Sequence, residues 1–421
     1  MSTQPYDAII IGGGPAGSTA ALVMARAGLR VKLLERTPFP RLHVGESLLP
    51  RNMALFKELG LEEMLAGVPK VDKRGAEFIM GNGTEPSLFP FTMGLLPGET
   101  SSFNLERAPF DAALLDTARK AGAEVREGVA LRKILRLEEG DVAVETDEGE
   151  IAARFLVDAS GQSTLLGKHL GSRRMMDQHR KIAYFGHFEN VWRQPGQESG
   201  YIVIVVCTEG WFWMIPLDET RTSIGLVMDA DLARGVGLPA DQMLTWGISR
   251  CPVLRERTAE ATFPTETHVV ADFSYRCDPY AGPGYFLVGD AAMFVDPIFS
   301  TGVCLGMMSG TEAARAIIAV VQQGADPVRL RRNYIRFIKQ SSAPFFRLIE
   351  LYYQHSFREL FLDGQGPLQV HRAAMSILAG NVFPRPAFAL RWRFKLLNVF
   401  VRVNRVFQIA TRREPFSLLH P

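Results

Sequence analysis

The chain has 421 residues, 47% of them apolar, with four cysteines and a formal net charge of +2. That length and apolar content allow a large core in more than one lobe, and near balance of charge does not mark the chain as a nucleic-acid binder. Cys207, Cys251, Cys277 and Cys304 are widely spaced with no CxxC pair, which excludes a disulfide framework and a zinc knot, leaves no metal site expected, and fits a reducing cytosol. No basic-then-apolar leader opens the sequence, no repeats occur, and no apolar run reads as a membrane span, so membrane association is not expected.

The first element is an apolar strand ending in Gly12-x-Gly14-x-x-Gly17. Gly12 permits a tight turn, Gly14 lets backbone approach phosphates, Ala16 opens the helix, and Gly17 lets that helix pack close to its strand. The helix N-terminus then faces an anion. A second strand, Val31 to Leu34, ends in Glu35 and Arg36, about 20 residues beyond the glycines, where a carboxylate would accept ribose hydroxyls. The spacing predicts a dinucleotide site and leaves NAD and FAD both open at this point.

Further along come Val44-Gly45-Glu46-Ser47-Leu48-Leu49-Pro50, Lys73 ahead of Gly75, and Arg107 near a helix start. Arg41 and Glu46 read equally well as partners in surface ion pairs. Phe155 to Gly161 supplies a third strand with a small-residue turn. Gly210-Trp211-Phe212-Trp213-Met214-Ile215-Pro216 places two of the chain's five tryptophans two apart, so on a strand both indoles project from one face. Tyr201 to Cys207 and Thr222 to Met228 read as neighbouring strands. Gly284 to Gly302 carries another apolar strand to Gly289 and Asp290, with Asp290 at a turn that begins a helix, and then runs through Asp296-Pro297-Ile298-Phe299-Ser300-Thr301-Gly302.

The three strand ends together resemble the flavoprotein monooxygenase superfamily over about the first 335 residues, which implies FAD, with Asp290 toward its ribityl hydroxyls and Arg107 over the cofactor. Within it, Trp211, Trp213, Ile215 and Pro216 resemble the WxWxIP signature of flavin-dependent halogenases. The loop through Glu46 and Ser47 resembles their flavin-side loop, and Asp296 to Val303 their halide segment. The resemblance implies that Ser300, Thr301 and Gly302 hold chloride or bromide, and backbone amides at a helix start are physically suited to an anion. It implies that a separate flavin reductase supplies reduced FAD. Dioxygen then forms the C4a-hydroperoxide that turns halide into hypohalous acid, Trp211 and Trp213 separate substrate from flavin, and Lys73 presents the electrophile. Lysine suits that task because desolvation lowers its pKa.

Phe299 stands where, in the family members acting on free tryptophan, a glutamate is found. The implied substrate is therefore an activated arene, a phenol or pyrrole, free or tethered to an acyl carrier protein.

The expected architecture is α/β: a Rossmann-like FAD lobe of the glutathione-reductase and monooxygenase type (1–75, 103–175 and 270–335), an interleaved substrate-side sheet (76–102 and 176–269), and a helical C-terminal segment (336–421). From His371 to Arg413 nine Arg or Lys occur with no Asp or Glu, interleaved with aromatic residues. The plain reading is a helix pair covering the substrate cavity; docking of an acidic carrier comes next, and contacts with a membrane surface or nucleic acid are the others. Two alternatives to halogenation also fit these residues. One is an aromatic hydroxylase or isoprenoid-type reductase, and the other a non-catalytic flavoprotein that binds a membrane or acidic partner through its basic end.

Overall fold

A parallel sheet forms the centre of the N-terminal lobe in this computed structural model, which describes residues 5–84, 86–176, 180–264, 266–271, 274–363 and 367–420. Its strands run in the order Tyr285–Leu287, Gly149–Asp158, Tyr6–Ile11, Val31–Glu35 and Glu124–Glu127. Ile10 lies opposite Val157 on one side and Leu33 on the other. Such parallel strands are covered on both faces, hence their unbroken Val, Ile and Leu runs.

Helix Pro15–Arg26 packs on helix Gly302–Gln323. The contact is close because the packing residues are small: a Cβ on Gly310 would lie 2.4 Å from the Ala16 carbonyl oxygen. Gly302–Gln323 is long and apolar enough to cross a membrane, contrary to the expectation from sequence. It is mostly buried within the protein, however, and its apolar character follows from that core position.

The second sheet has seven strands in the order His268–Ala271, Lys181–Glu189, Arg221–Asp229, Gly210–Pro216, Ile202–Val206, Gly75–Met80 and Ser87–Pro90. Every residue of Ile202–Val206 is buried, because this sheet separates two cores. Phe212 and Met214 join Val203, Val205 and Leu226 in the smaller core, which Phe416 and Leu418 complete, whereas Trp211 and Trp213 point into the larger one. The alternation predicted for the tryptophan strand is therefore realised with both faces covered.

Trp213 lies opposite Gly225 on the neighbouring strand, and a Cβ there would stand 2.1 Å from the indole. Helices Pro327–Tyr352, His355–Leu362, Val370–Leu378 and Phe388–Phe407 form the C-terminal part. The first of these starts at Pro327, capped by Asp326, earlier than the helical pattern reads in the sequence.

Gly225→Ala is expected to destabilise the fold by about 1–3 kcal/mol, since the indole must move within a filled core. A lowered thermal midpoint checks this, and an unchanged midpoint would show that Trp213 has room to shift.

Candidate active site

A cavity of about 610 Å³ opens where the two sheets meet. On the parallel-sheet side it is lined by the Gly-rich turn. Gly12 has φ +109°, and a Cβ on it would lie 2.2 Å from the Ala159 carbonyl oxygen. A Cβ on Gly17 would lie 1.9 Å from the Gly12 carbonyl oxygen, so helix and turn touch through backbone alone. Gly14 caps the helix Pro15–Arg26 without a side-chain partner, leaving the first amides directed at the cavity. Ala16 lines it beside them.

Glu35 is buried and accepts hydrogen bonds from the Gly13 amide (2.7 Å) and the Thr37 amide (2.9 Å). It holds the turn as well as facing the cavity, and the exposed Arg36 lies beside it. Across the cavity, Asp290 sits in a short turn Gly289–Ala291, and the next long helix begins only at Gly302. Burial pushes its carboxyl up to about 6 against the opposing charge of Arg107. A half-buried, desolvated carboxylate facing a polar-walled cavity fits hydroxyl donors.

The loop Val44–Leu48 forms the rim, and three cationic side chains hold it. Arg107 pairs with Asp111 through two 2.8 Å bonds and donates a third, 2.7 Å, to the Val44 carbonyl. Its guanidinium is thus engaged by the protein itself, in addition to lining the cavity. Glu46 is 2% exposed and bonds to His187 Nε2 at 2.7 Å. The surface ion pair read for Glu46 is therefore a buried one, and the partner lies on a distant strand. Burial disfavours the imidazolium, but the Glu46 hydrogen bond and charge outweigh it and raise the His187 pKa. Arg41 lies 3.7 Å from Glu35 and over the Phe39 ring. Ser47 lines the cavity, and its Oγ has no partner among the described residues.

Lys73 is 2% exposed. Its Nζ donates to the Leu48 carbonyl at 3.0 Å and sits 5.3 Å from the centre of the Phe91 ring. Burial alone lowers its pKa to about 7. The walls of the large cavity do not include Lys73; the residue next to its carbonyl partner, Ser47, is a wall residue. The lysine thus stands against the rim loop, one residue beyond the cavity wall at Ser47.

Trp211, Trp213 and Ile215 form the opposite wall, extended by Phe185 and His268. The indole rings are 5.9 Å apart. Trp213 Nε1 donates to Ser223 Oγ (3.1 Å) and Trp211 Nε1 to Tyr353 Oη (3.2 Å). Tyr353 in turn donates to Asp296 Oδ2 at 2.5 Å, and Asp296 Oδ1 accepts from the Ile298 amide. Burial raises Asp296 to about 6 despite those two bonds. Asp296 thereby caps the turn that delivers Ser300, Thr301 and Gly302 to the cavity. Ser300 adopts φ +56°, and helix Gly302–Gln323 starts with no side-chain cap, so its first amides face the cavity wall. Phe299 packs edge-on against Tyr352, 5.9 Å between ring centres. Sequence reasoning missed His187 and Tyr353 and gave no role to Asp296 within its quoted segment, although Asp296 before Pro297 carried the local signal of a helix cap.

The Lys73 amine keeps its ordinary value of 10.5 in the unfolded chain. Between about 7 and 10.5 the unfolded state holds a proton that the folded state lacks, so stability rises with pH across that window. Below about 7 the whole burial cost applies, on the order of a few kcal/mol. Lys73→Met is therefore expected to stabilise the fold at pH 6 and to change it little at pH 10, as read by denaturant unfolding. A loss of stability at both pH values would mean that the bond to Leu48 outweighs burial.

A family model described as an FAD binding domain matches residues 5–334. The chain is 32% identical over 384 residues to the 1H-pyrrole-2-carbonyl-[peptidyl-carrier protein] chlorinase of Pseudomonas fluorescens, with 84% of this chain and 85% of the relative covered. Among solved structures, the flavin-dependent brominase Bmp2 superposes with a TM-score of 0.84 at 28% identity, covering 95% of this chain and 100% of that one. A flavoprotein/dehydrogenase from Cytophaga hutchinsonii superposes at 0.87 with 26% identity, covering 96% and 100%. Glycine turn, paired tryptophans and buried lysine thus occur in a chain that belongs to the flavin-dependent halogenases, FAD-dependent oxidoreductases that use halide and dioxygen.

Proposed function

We propose that this halogenase acts on an electron-rich arene of the pyrrole class, presented as a thioester on an acyl carrier protein, with reduced FAD supplied by a separate flavin reductase. The observation that carries the proposal is Lys73: a buried amine without a carboxylate partner among the described residues, titrating near 7, one residue behind the cavity rim. A purely structural lysine would gain nothing from that placement.

Reduced FAD with dioxygen supplies the two-electron oxidation that converts halide to hypohalous acid. The protein does the positioning. The Gly-rich turn, Glu35 and Asp290 hold the dinucleotide, and Arg107 fixes the rim loop beside it. The amides and hydroxyls of Ser300, Thr301 and Gly302 form the halide seat. Trp211 and Trp213 fill the sheet side of the cavity and exclude the arene from the site of oxidation.

At Lys73 the ammonium donates a hydrogen bond to the oxygen of the hypohalous acid and polarises the oxygen–halogen bond. The arene carbon attacks halogen, hydroxide leaves, and the proton released from the arene joins it as water. An activated arene suits a site with Phe299 in place of a carboxylate base, because its proton is lost readily after attack. The carrier form of the substrate is supported by the likeness to the peptidyl-carrier chlorinase.

Lys73→Ala is expected to lower arene halogenation at least 100-fold while halide-dependent oxidant, trapped by an added thiol or amine, still forms. Loss of both would place the lysine in oxidant formation instead. Because the ammonium is the acting form, the halogenation rate should fall as pH rises through about 7, with oxidant yield unaffected. A rate that rises through the same range would mean that the free amine acts as a nucleophile.

A further inference from the structure

The helix Phe388–Phe407 buries Leu390, Leu397, Val401 and Asn404 and rests on the helices His355–Leu362 and Val370–Leu378. Its other face has no covering element among the described residues. Phe388 is 72% exposed, Val399 50%, Val406 73% and Phe407 75%. Spaced among them are Arg391, Lys395, Arg402 and Arg405, all exposed, and none has a carboxylate partner among the described residues. Residues 388, 391, 395, 399, 402 and 406 recur at intervals of three and four, so they lie in one stripe along the helix.

Two properties identify what this stripe meets. Between His371 and Arg413 the sequence has no acidic residue, so the partner's surface is negative. Apolar and cationic side chains are also mixed along the same stripe. A helix that lies in a lipid surface instead separates an apolar face from a polar, basic one. Phe and Arg side by side on an exposed face are the composition of a protein interface centre.

Position narrows the partner further. Beneath the stripe, Phe361 of the helix His355–Leu362 stacks on Phe89 at 4.5 Å. The helix Val370–Leu378 is bonded to the segment beside Phe91: Ser376 Oγ accepts from the Leu95 and Leu96 amides, and Arg372 donates to the Met93 and Gly94 carbonyls. Phe91 is the ring beneath Lys73 Nζ. The stripe therefore lies on the outside of helices that pack on the segment carrying Phe91, the ring against the lysine.

We propose that the outer face of the helix Phe388–Phe407 is the docking surface for an acidic carrier protein, which presents its thioester-bound arene from this side of the molecule. The proposal rests on the carrier-tethered substrate inferred above. Phe388, Val399 and Val406 supply the apolar contact, and Arg391, Lys395, Arg402 and Arg405 steer and orient the negative partner.

The test compares two substrates: pyrrole-2-carbonyl thioester on a purified peptidyl carrier protein, and the same acyl group on pantetheine alone. For the doubly substituted Arg391→Glu/Arg402→Glu, KM for the carrier-bound substrate should rise roughly tenfold or more with kcat unchanged. Turnover of the pantetheine thioester and trapped oxidant should stay at the wild-type level, and Arg402→Lys should retain most of the carrier affinity. Raising ionic strength should increase the wild-type KM for the carrier form more than that of the double variant. An unchanged KM for the carrier form overturns the proposal, as does equal loss on both thioesters, which would make the helix merely structural. Charge-dependent sedimentation with anionic phosphatidylserine vesicles, without effect on the carrier KM, overturns it in favour of a lipid surface. If the wild-type protein halogenates the pantetheine thioester but ignores the carrier form, the carrier reading itself falls and the docking surface with it.

Discussion

The loop Val44–Leu48 is the constraint on which the site depends. Its backbone pairs only around the bridge of Ser47 to Asn104, where Leu48 N donates to the Phe103 carbonyl and Leu105 N to the Glu46 carbonyl, and side chains reaching it from elsewhere fix the rest. Arg107 comes from a helix start, His187 from the second sheet and Lys73 from a short edge strand. Two of those cations have carboxylate partners, in Asp111 and Glu46, and the third has only a carbonyl and an aromatic face. The asymmetry matters: the carboxylate partners favour the charged forms of Arg107 and His187, whereas burial without such a partner lowers the lysine to about 7. The same loop thus fixes the cofactor side of the cavity and positions the amine behind it.

A second network joins parts that are remote in the chain. The tryptophan wall, the C-terminal end of helix Pro327–Tyr352 and the turn before Ser300 meet at Tyr353, which bonds both Trp211 and Asp296. The carboxylate that caps the turn before Ser300 is therefore occupied by capping and by the tyrosine hydroxyl. With Phe299 packed on Tyr352, the inner end of the site is aromatic, which is why the proposed substrate is an arene activated by its own electrons. The C-terminal helices are consequently part of the site's inner shell as well as its cover.

Features set by local backbone geometry were legible in the sequence. The glycine turn follows from contacts that only glycine tolerates, and the two indoles share a face because a strand has a period of two. Pairings across the chain were not. His187 meets Glu46 over 141 residues and Tyr353 meets Asp296 over 57, and nothing local to any of them marks the partner. Lys73 was singled out by resemblance, but its burial beside Leu48 and Phe91 joins distant segments, so its lowered pKa could not be read from residue order. The apolar helix Gly302–Gln323 shows the converse: its composition matches a membrane span, and only its neighbours show that it is core.

The geometry of the tryptophan wall has an optical consequence. Trp211 and Trp213 hold their rings 5.9 Å apart at 51°, close enough and skewed enough for their excited states to couple. Such a pair rotates light as one chromophore, with paired positive and negative bands in the ultraviolet. With only five tryptophans in the chain, and these two lining the cavity wall, the protein carries a built-in chromophore on the wall of its large cavity.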